Sequence, residues 1–251
     1  MSVSGSVYAV VFEGGSGAPG IIITITIHGN GQIDAVIDTL TFSTGVGIDP
    51  VIVHLQGNFF AVAYMGTGNN GFLVTIEIAA NGALPAARTD ILEFDTDNGS
   101  QPSLIKISDT MVAVAYRGTS SYGTCKTIEI SLSGAIAAAV EDTLIFYPTS
   151  CSDPIIVHVS GDVYACLFTG DGLDGFIYTF TIAASGAIGN TTIDTFTFGT
   201  DNLTLVDFLF AAGQIYVACG LNPSSHGIVK TVDIETIILG LPRHELLMGI
   251  G

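Results

Sequence analysis

Tryptophan is absent from the 251 residues, and lysine and arginine together number only six. Against 23 aspartates and glutamates this leaves a formal charge of −17 and a pI near 4.1. A field of that sign repels phosphate backbones and anionic bilayers, so neither a nucleic-acid partner nor membrane insertion is expected. The acidic residues are scattered, as on a solvated face that keeps a particle soluble. The four cysteines form no CxxC pair and no Cys/His nucleophile arrangement, so neither a thiolate metal site nor a cofactor is implied. Basic residues are also missing ahead of the first short apolar stretch, MSVSGSVYAVVFEGG, which speaks against a Sec signal peptide.

Charged residues are only 12% of the chain, hydrophobic ones 48%, and the mean hydropathy is +0.60. A membrane-spanning helix therefore has to be considered. The best stretch, Leu203–Leu221, is long enough but carries Asp207, Gln214 and a turn at Gly213. It also falls on a hairpin of an internal repeat, and it reads as strands.

That repeat organises everything else. Tyr8-Ala9-Val10, Phe60-Ala61-Val62, Val112-Ala113-Val114, Tyr164-Ala165-Cys166 and Tyr216-Val217-Ala218 recur every 52 residues. Asp38, Asp90, Asp142 and Asp194 keep the same spacing, as do Phe42, Phe94, Phe146 and Phe198. Each copy reads as four short strands; in the second they fall at 51–55, 59–65, 72–78 and 90–95. Short Gly/Asp turns and NG or SG dipeptides mark antiparallel hairpins between them. Strands that are apolar on both faces fit sheets sandwiched between neighbouring sheets.

Four antiparallel strands per repeat, five times over, predict an all-β five-bladed β-propeller. One domain, 1–251, is expected, with blades at about 1–49, 50–101, 102–153, 154–205 and 206–251. In architecture this resembles the tachylectin-2-like class of five-bladed lectins. The texture of Ala115-Tyr116-Arg117-Gly118, Thr127–Ile130 and Leu92–Phe94, with the ending Arg243–Gly251, is similar to repeat propellers of uncharacterised phage-virion and microbial-surface proteins. The resemblance brings no site residues with it. It implies a virion, extracellular or cell-surface setting.

Candidate functional residues are sparse. The repeated aspartates before the fourth strands suit a once-per-blade structural task, accepting turn amides or a hydroxyl from the next blade. The first strands should line a channel, with His54, Lys106 and His158 at one equivalent position. Asp49 and Asp153, each before the proline that opens a first strand, and Asp207 are the carboxylates a channel-mouth glycosidase would need. No aromatic platform accompanies them, and the reading is not an enzyme. Between second and third strands, Asn69, Asn70, Phe72, Tyr122, Asp171, Asp174 and Phe176 could stack on and hydrogen-bond sugars, the alternative of a glycan-binding module. Cys125 and Cys151 stand at ends of strands that should pair, a possible disulfide. The leading expectation is a non-enzymatic structural or interaction protein, a homo-oligomer or larger assembly with a contact through His244, Leu246, Leu247 and Met248.

Overall fold

The structure is a computed structural model; it describes residues 1–15, 18–199, 204–212, 215–221 and 227–234. Among the described residues nineteen strands form five antiparallel sheets, each built from consecutive strands in chain order. The first holds β1 (Ser2–Ser4), β2 (Val7–Glu13), β3 (Gly20–Thr26) and β4 (Asp38–Ser43). The second holds β5 (Ile48–Gln56), β6 (Phe59–Met65), β7 (Gly71–Glu77) and β8 (Asp90–Asp95). In the third are β9 (Ser100–Ser108), β10 (Met111–Arg117), β11 (Gly123–Glu129) and β12 (Asp142–Tyr147). The fourth comprises β13 (Ser152–Ser160), β14 (Val163–Thr169), β15 (Gly175–Thr181) and β16 (Asp194–Gly199). Among the described residues the fifth has three strands, β17 (Thr204–Ala212), β18 (Ile215–Leu221) and β19 (Gly227–Asp233). The stretch considered as a membrane span is thus the β17–β18 hairpin, and no helix among the described residues is long and apolar enough to cross a bilayer.

The sheets stack face to face in sequence order, with the first strands β5, β9, β13 and β17 adjacent in turn. Four apolar clusters fill the spaces between them. Ala61 and Ala63 of one sheet, for example, pack with Val112, Val114 and Tyr116 of the next, all at 0% exposure. The small repeated alanine lets backbones approach, and the β-branched neighbours fill the pleats. The repeated phenylalanine has a glycine under it: a Cβ on Gly71 would lie 2.3 Å from the Phe94 ring, so only glycine fits there.

Two hydrogen bonds at each of the first three junctions tie one sheet to the next. Thr24, Thr75 and Thr127 donate their hydroxyls across to the carbonyls of Gly82, Gly134 and Gly186, at 2.5–2.7 Å. Asp38, Asp90 and Asp142 accept the amides of Leu84, Ile136 and Ile188 at 2.7–2.8 Å, and each also accepts the amide that follows it. These are the once-per-sheet tasks that the repeat pattern anticipates. Among the described residues, one face of the first sheet has no such neighbour. Val10 and Phe12 are 39% and 37% exposed, whereas their equivalents Val62 and Tyr64 are 0% and 2% exposed.

Two details differ from the sequence reading. The first strand of each inner repeat starts about three residues early, because pairing resumes before the proline across a bulge. Cys125 and Cys151 are free thiols, which corrects the expected disulfide. Cys125 sits mid-ladder opposite Leu144, while the Cys151 sulfur lies over Gly123, two residues away along the strand.

Candidate active site

The bulges that shift the first strands also build the most distinctive site. In β5 the register shifts between Ile48 and Val51, in β13 between Ser152 and Ile155, and β9 shifts at the equivalent place. At each bulge one residue before a proline takes a left-handed backbone: Asp49 at φ 50°, Gln101 at φ 53° and Asp153 at φ 50°. Side chains disfavour that region, and the pre-proline position disfavours it further. Strain repeated at three equivalent positions marks a place where side-chain direction matters. Here it turns all three side chains into one cavity of about 410 Å³, walled by Pro50, Pro102 and Pro154.

Inside that cavity Asp153 and Gln101 are locked together. The Gln101 amide donates to Asp153 Oδ1, and the Asp153 backbone amide donates to Gln101 Oε1 at 3.2 Å. Burial raises the Asp153 carboxyl above its ordinary range, and the Asp49 charge pushes it the same way. The nearby Arg117 guanidinium and the Gln101 hydrogen bond oppose that rise without cancelling it. Asp49 itself is exposed at the rim. The result is two carboxylates of unequal environment facing one space, the pattern that separates an acid from a base.

Asp207, the third carboxylate singled out from sequence, lies elsewhere. It sits inside β17, two residues beyond the repeat position of Asp153, and its Oδ1 accepts the amide of the following residue, Phe208, at 2.8 Å. Gln101 is the residue that sequence reasoning passed over. It stands 52 residues from both Asp49 and Asp153, so the repeat spacing itself could have found it.

The other sequence-derived candidates are not brought together. His54 and His158 each donate from Nε2 to a carbonyl of their own turn, Gly57 and Gly161, at 2.9 Å. Lys106 reaches Leu55 O and pairs with Asp109 at 2.7 Å. Asn69, Tyr122 and Asp171 lie in or beside three separate 3-10 turns, one per sheet. Asn70 donates to Glu93, Asp171 accepts the Ser150 amide at 3.3 Å, and Asp174 closes the turn through its amide. Phe72 stacks on Tyr64 at 5.5 Å and Phe176 on Phe168 at 5.7 Å, each within its own sheet. No group of three His, Cys, Asp or Glu side chains among the described residues could hold a metal ion. His244, Leu246, Leu247 and Met248 lie outside the described residues.

No protein-family profile and no curated protein sequence matches the chain. Solved structures do. A putative 6-phosphogluconolactonase from Bacteroides uniformis matches with a TM-score of 0.68 at 12% identity, over 98% of this chain and 70% of its own. The periplasmic gluconolactonase of Pseudomonas aeruginosa matches with a TM-score of 0.57 at 12% identity, over 96% and 82%. A GH43 β-1,3-galactosidase matches with a TM-score of 0.57 at 11% identity, this chain spanning 56% of its length. At these identities the likeness is one of fold, and the fold is propeller-like. The expectation of a non-enzymatic structural or interaction protein is overturned by it: the architecture read as a scaffold is one that lactonases and a glycosidase use.

Proposed function

We propose that the chain is a hydrolase of a sugar-derived substrate and that its reaction takes place in the cavity of Asp49, Gln101 and Asp153. The observation that carries this is the pair of carboxylates turned into one cavity by identical strained bulges, one of them raised by burial. The fold neighbours support the substrate class, since all three act on sugars or sugar lactones by their descriptions. The acidic surface favours an uncharged sugar or lactone over a phosphorylated one.

The division of labour follows from the hydrogen bonds. Gln101 occupies Asp153 Oδ1, leaving Oδ2 to carry the proton. Asp153 donates that proton to the leaving oxygen as its bond to carbon breaks. Asp49, exposed at the rim, takes a proton from the water whose oxygen bonds to the same carbon. The sum is one C–O bond hydrolysed.

The test is turnover of a panel of aryl glycosides and aldonolactones by the purified protein. Asp153→Asn and Asp49→Asn should each lower kcat/KM by about 10²–10⁴ with the fold intact. Turnover should fall as pH rises through the raised pKa of Asp153, where its proton is lost. Absence of turnover across the panel, or activity that survives Asp153→Asn, would overturn the assignment.

We infer also that the five sheets are five blades about one axis. The support is the 52-residue register and the succession of adjacent first strands.

A further inference from the structure

The junctions between successive sheets are built from the same parts, yet one of them is incomplete. Between the second and third sheets, Asp95 projects into the junction. Its carboxylate accepts the Tyr116 phenol at 2.7 Å, the Lys126 ammonium at 3.1 Å, and the amides of Asp97 and Asn98 at 3.0 and 3.1 Å. Lys126 is tethered beside it by donating to the Phe94 carbonyl at 2.7 Å. Between the third and fourth sheets the residue equivalent to Asp95 is Tyr147, whose ring fills the space against Phe168 at 4.7 Å and Tyr178 at 5.6 Å.

Between the first and second sheets the equivalent residue is Ser43, which has neither carboxylate nor ring. Two of the groups that hold that carboxylate have counterparts here. Tyr64, the equivalent of Tyr116, keeps its phenol, 2% exposed and hydrogen-bonded to the short Ser43 side chain in place of a carboxylate. Arg88 replaces Lys126: its Nη1 donates to the Phe42 carbonyl at 2.7 Å, the same carbonyl of the repeat that holds Lys126. Gly45 and Val46, at the repeat positions of Asp97 and Asn98, line the same space, and the Ser43 hydroxyl donates to the Val46 carbonyl at 2.9 Å. What remains is a cavity of about 190 Å³, lined by Ser43, Tyr64, Thr67, Phe72 and Arg88.

We propose that this junction is a binding site for a small free carboxylate, whose carboxyl group takes the place that the Asp95 side chain fills in the next junction. Arg88 supplies the charge, the Tyr64 phenol a hydrogen bond, and the stacked rings of Tyr64 and Phe72 a wall for a short apolar tail. It is separate from the cavity of Asp49 and Asp153, shares no residue with it, and stands whether or not that cavity is catalytic.

The protein's own repeat supplies the decisive variant. Sodium propionate should shift the amide resonances of Gly45 and Val46 saturably at constant ionic strength, and propionamide should not. Arg88→Gln should weaken binding at least about tenfold. Ser43→Asp, which provides an internal carboxylate as in the next junction, should abolish the response and raise the melting temperature. No saturable shift in the unsubstituted protein up to about 0.1 M propionate, a hundredfold above a millimolar Kd, overturns the site. So does an equal response to propionamide, or a response that survives Ser43→Asp.

Discussion

Asp95 offers the sharpest test of how the sheets are held together. Its side chain is 12% exposed, and its two oxygens receive donors from two directions. Oδ2 takes the Tyr116 hydroxyl and the Lys126 ammonium, while Oδ1 takes the amides of Asp97 and Asn98. Replacement by asparagine keeps the shape but turns one oxygen into an NH2. Whichever way the amide is flipped, that NH2 faces two donors. Either the backbone turn or the Tyr116–Lys126 pair is left unsatisfied, next to a tyrosine at 0% exposure. Leaving a buried group unpaired costs about 1–3 kcal/mol, and breaking a buried ion pair about 3–5 kcal/mol. Lys126 keeps its bond to the Phe94 carbonyl, so Asp95→Asn should destabilise by about 3 kcal/mol rather than the upper figure. The pH dependence carries a fixed sign. Burial alone would raise the Asp95 carboxyl, but the bonds from Tyr116, Asp97, Asn98 and Lys126 outweigh it and hold the pKa below the ordinary 3.8. Its stabilisation is therefore complete above that ordinary value and is lost as pH falls through the lowered one. Urea denaturation of both proteins should show a constant gap near neutrality that narrows only in acid below 3.8. A gap under about 1 kcal/mol at pH 7, or one that persists unchanged into that acid range with the native fold retained, would refute the account.

Two further measurements probe other parts of the fold. Val62→Ala should cost about 2 kcal/mol because its cavity lies between two sheets, whereas Val10→Ala, at 39% exposure, should cost less than about 1 kcal/mol. Equal costs would mean that the open face of the first sheet is covered in solution, as closure against the fifth sheet would do. Burial pushes the Cys125 and Cys166 thiols up and Cys151 up to about 12, so a disulfide-exchange reagent at pH 8 should label the half-buried Cys219 alone in the native protein. All four should react under denaturant; a count of two would restore the Cys125–Cys151 bridge.

The backbone was the legible part because the repeat multiplies every weak signal. A single Gly/Asp turn or apolar alternation is poor evidence, but the same signal at 52-residue spacing is hard to produce without the same strand each time. Asp90 illustrates this: its recurrence alone pointed to a bond every sheet needs, and the structure supplies one to Ile136 in the next sheet. Sites were harder to see, for two different physical reasons. Asp49, Gln101 and Asp153 are far apart in sequence and unlike in type, and only the shared bulge turns them into one cavity. Aspartate before proline reads as an ordinary turn until its backbone angle is known. The junction of Ser43 and Arg88 is hidden in another way, since its cation comes from the connection before β8 rather than from the strand position that carries Lys126. No alignment of the repeats by spacing would pair Arg88 with Lys126, because they converge on one carbonyl from different places in the chain. In a repeat protein, then, positions that agree between copies describe the scaffold. Chemistry is to be sought where one copy keeps the partners of a group that it has lost. Ser43, facing a phenol and a guanidinium where one sister site holds a carboxylate with a phenol and an ammonium and the other fills the space with a ring, is such a position.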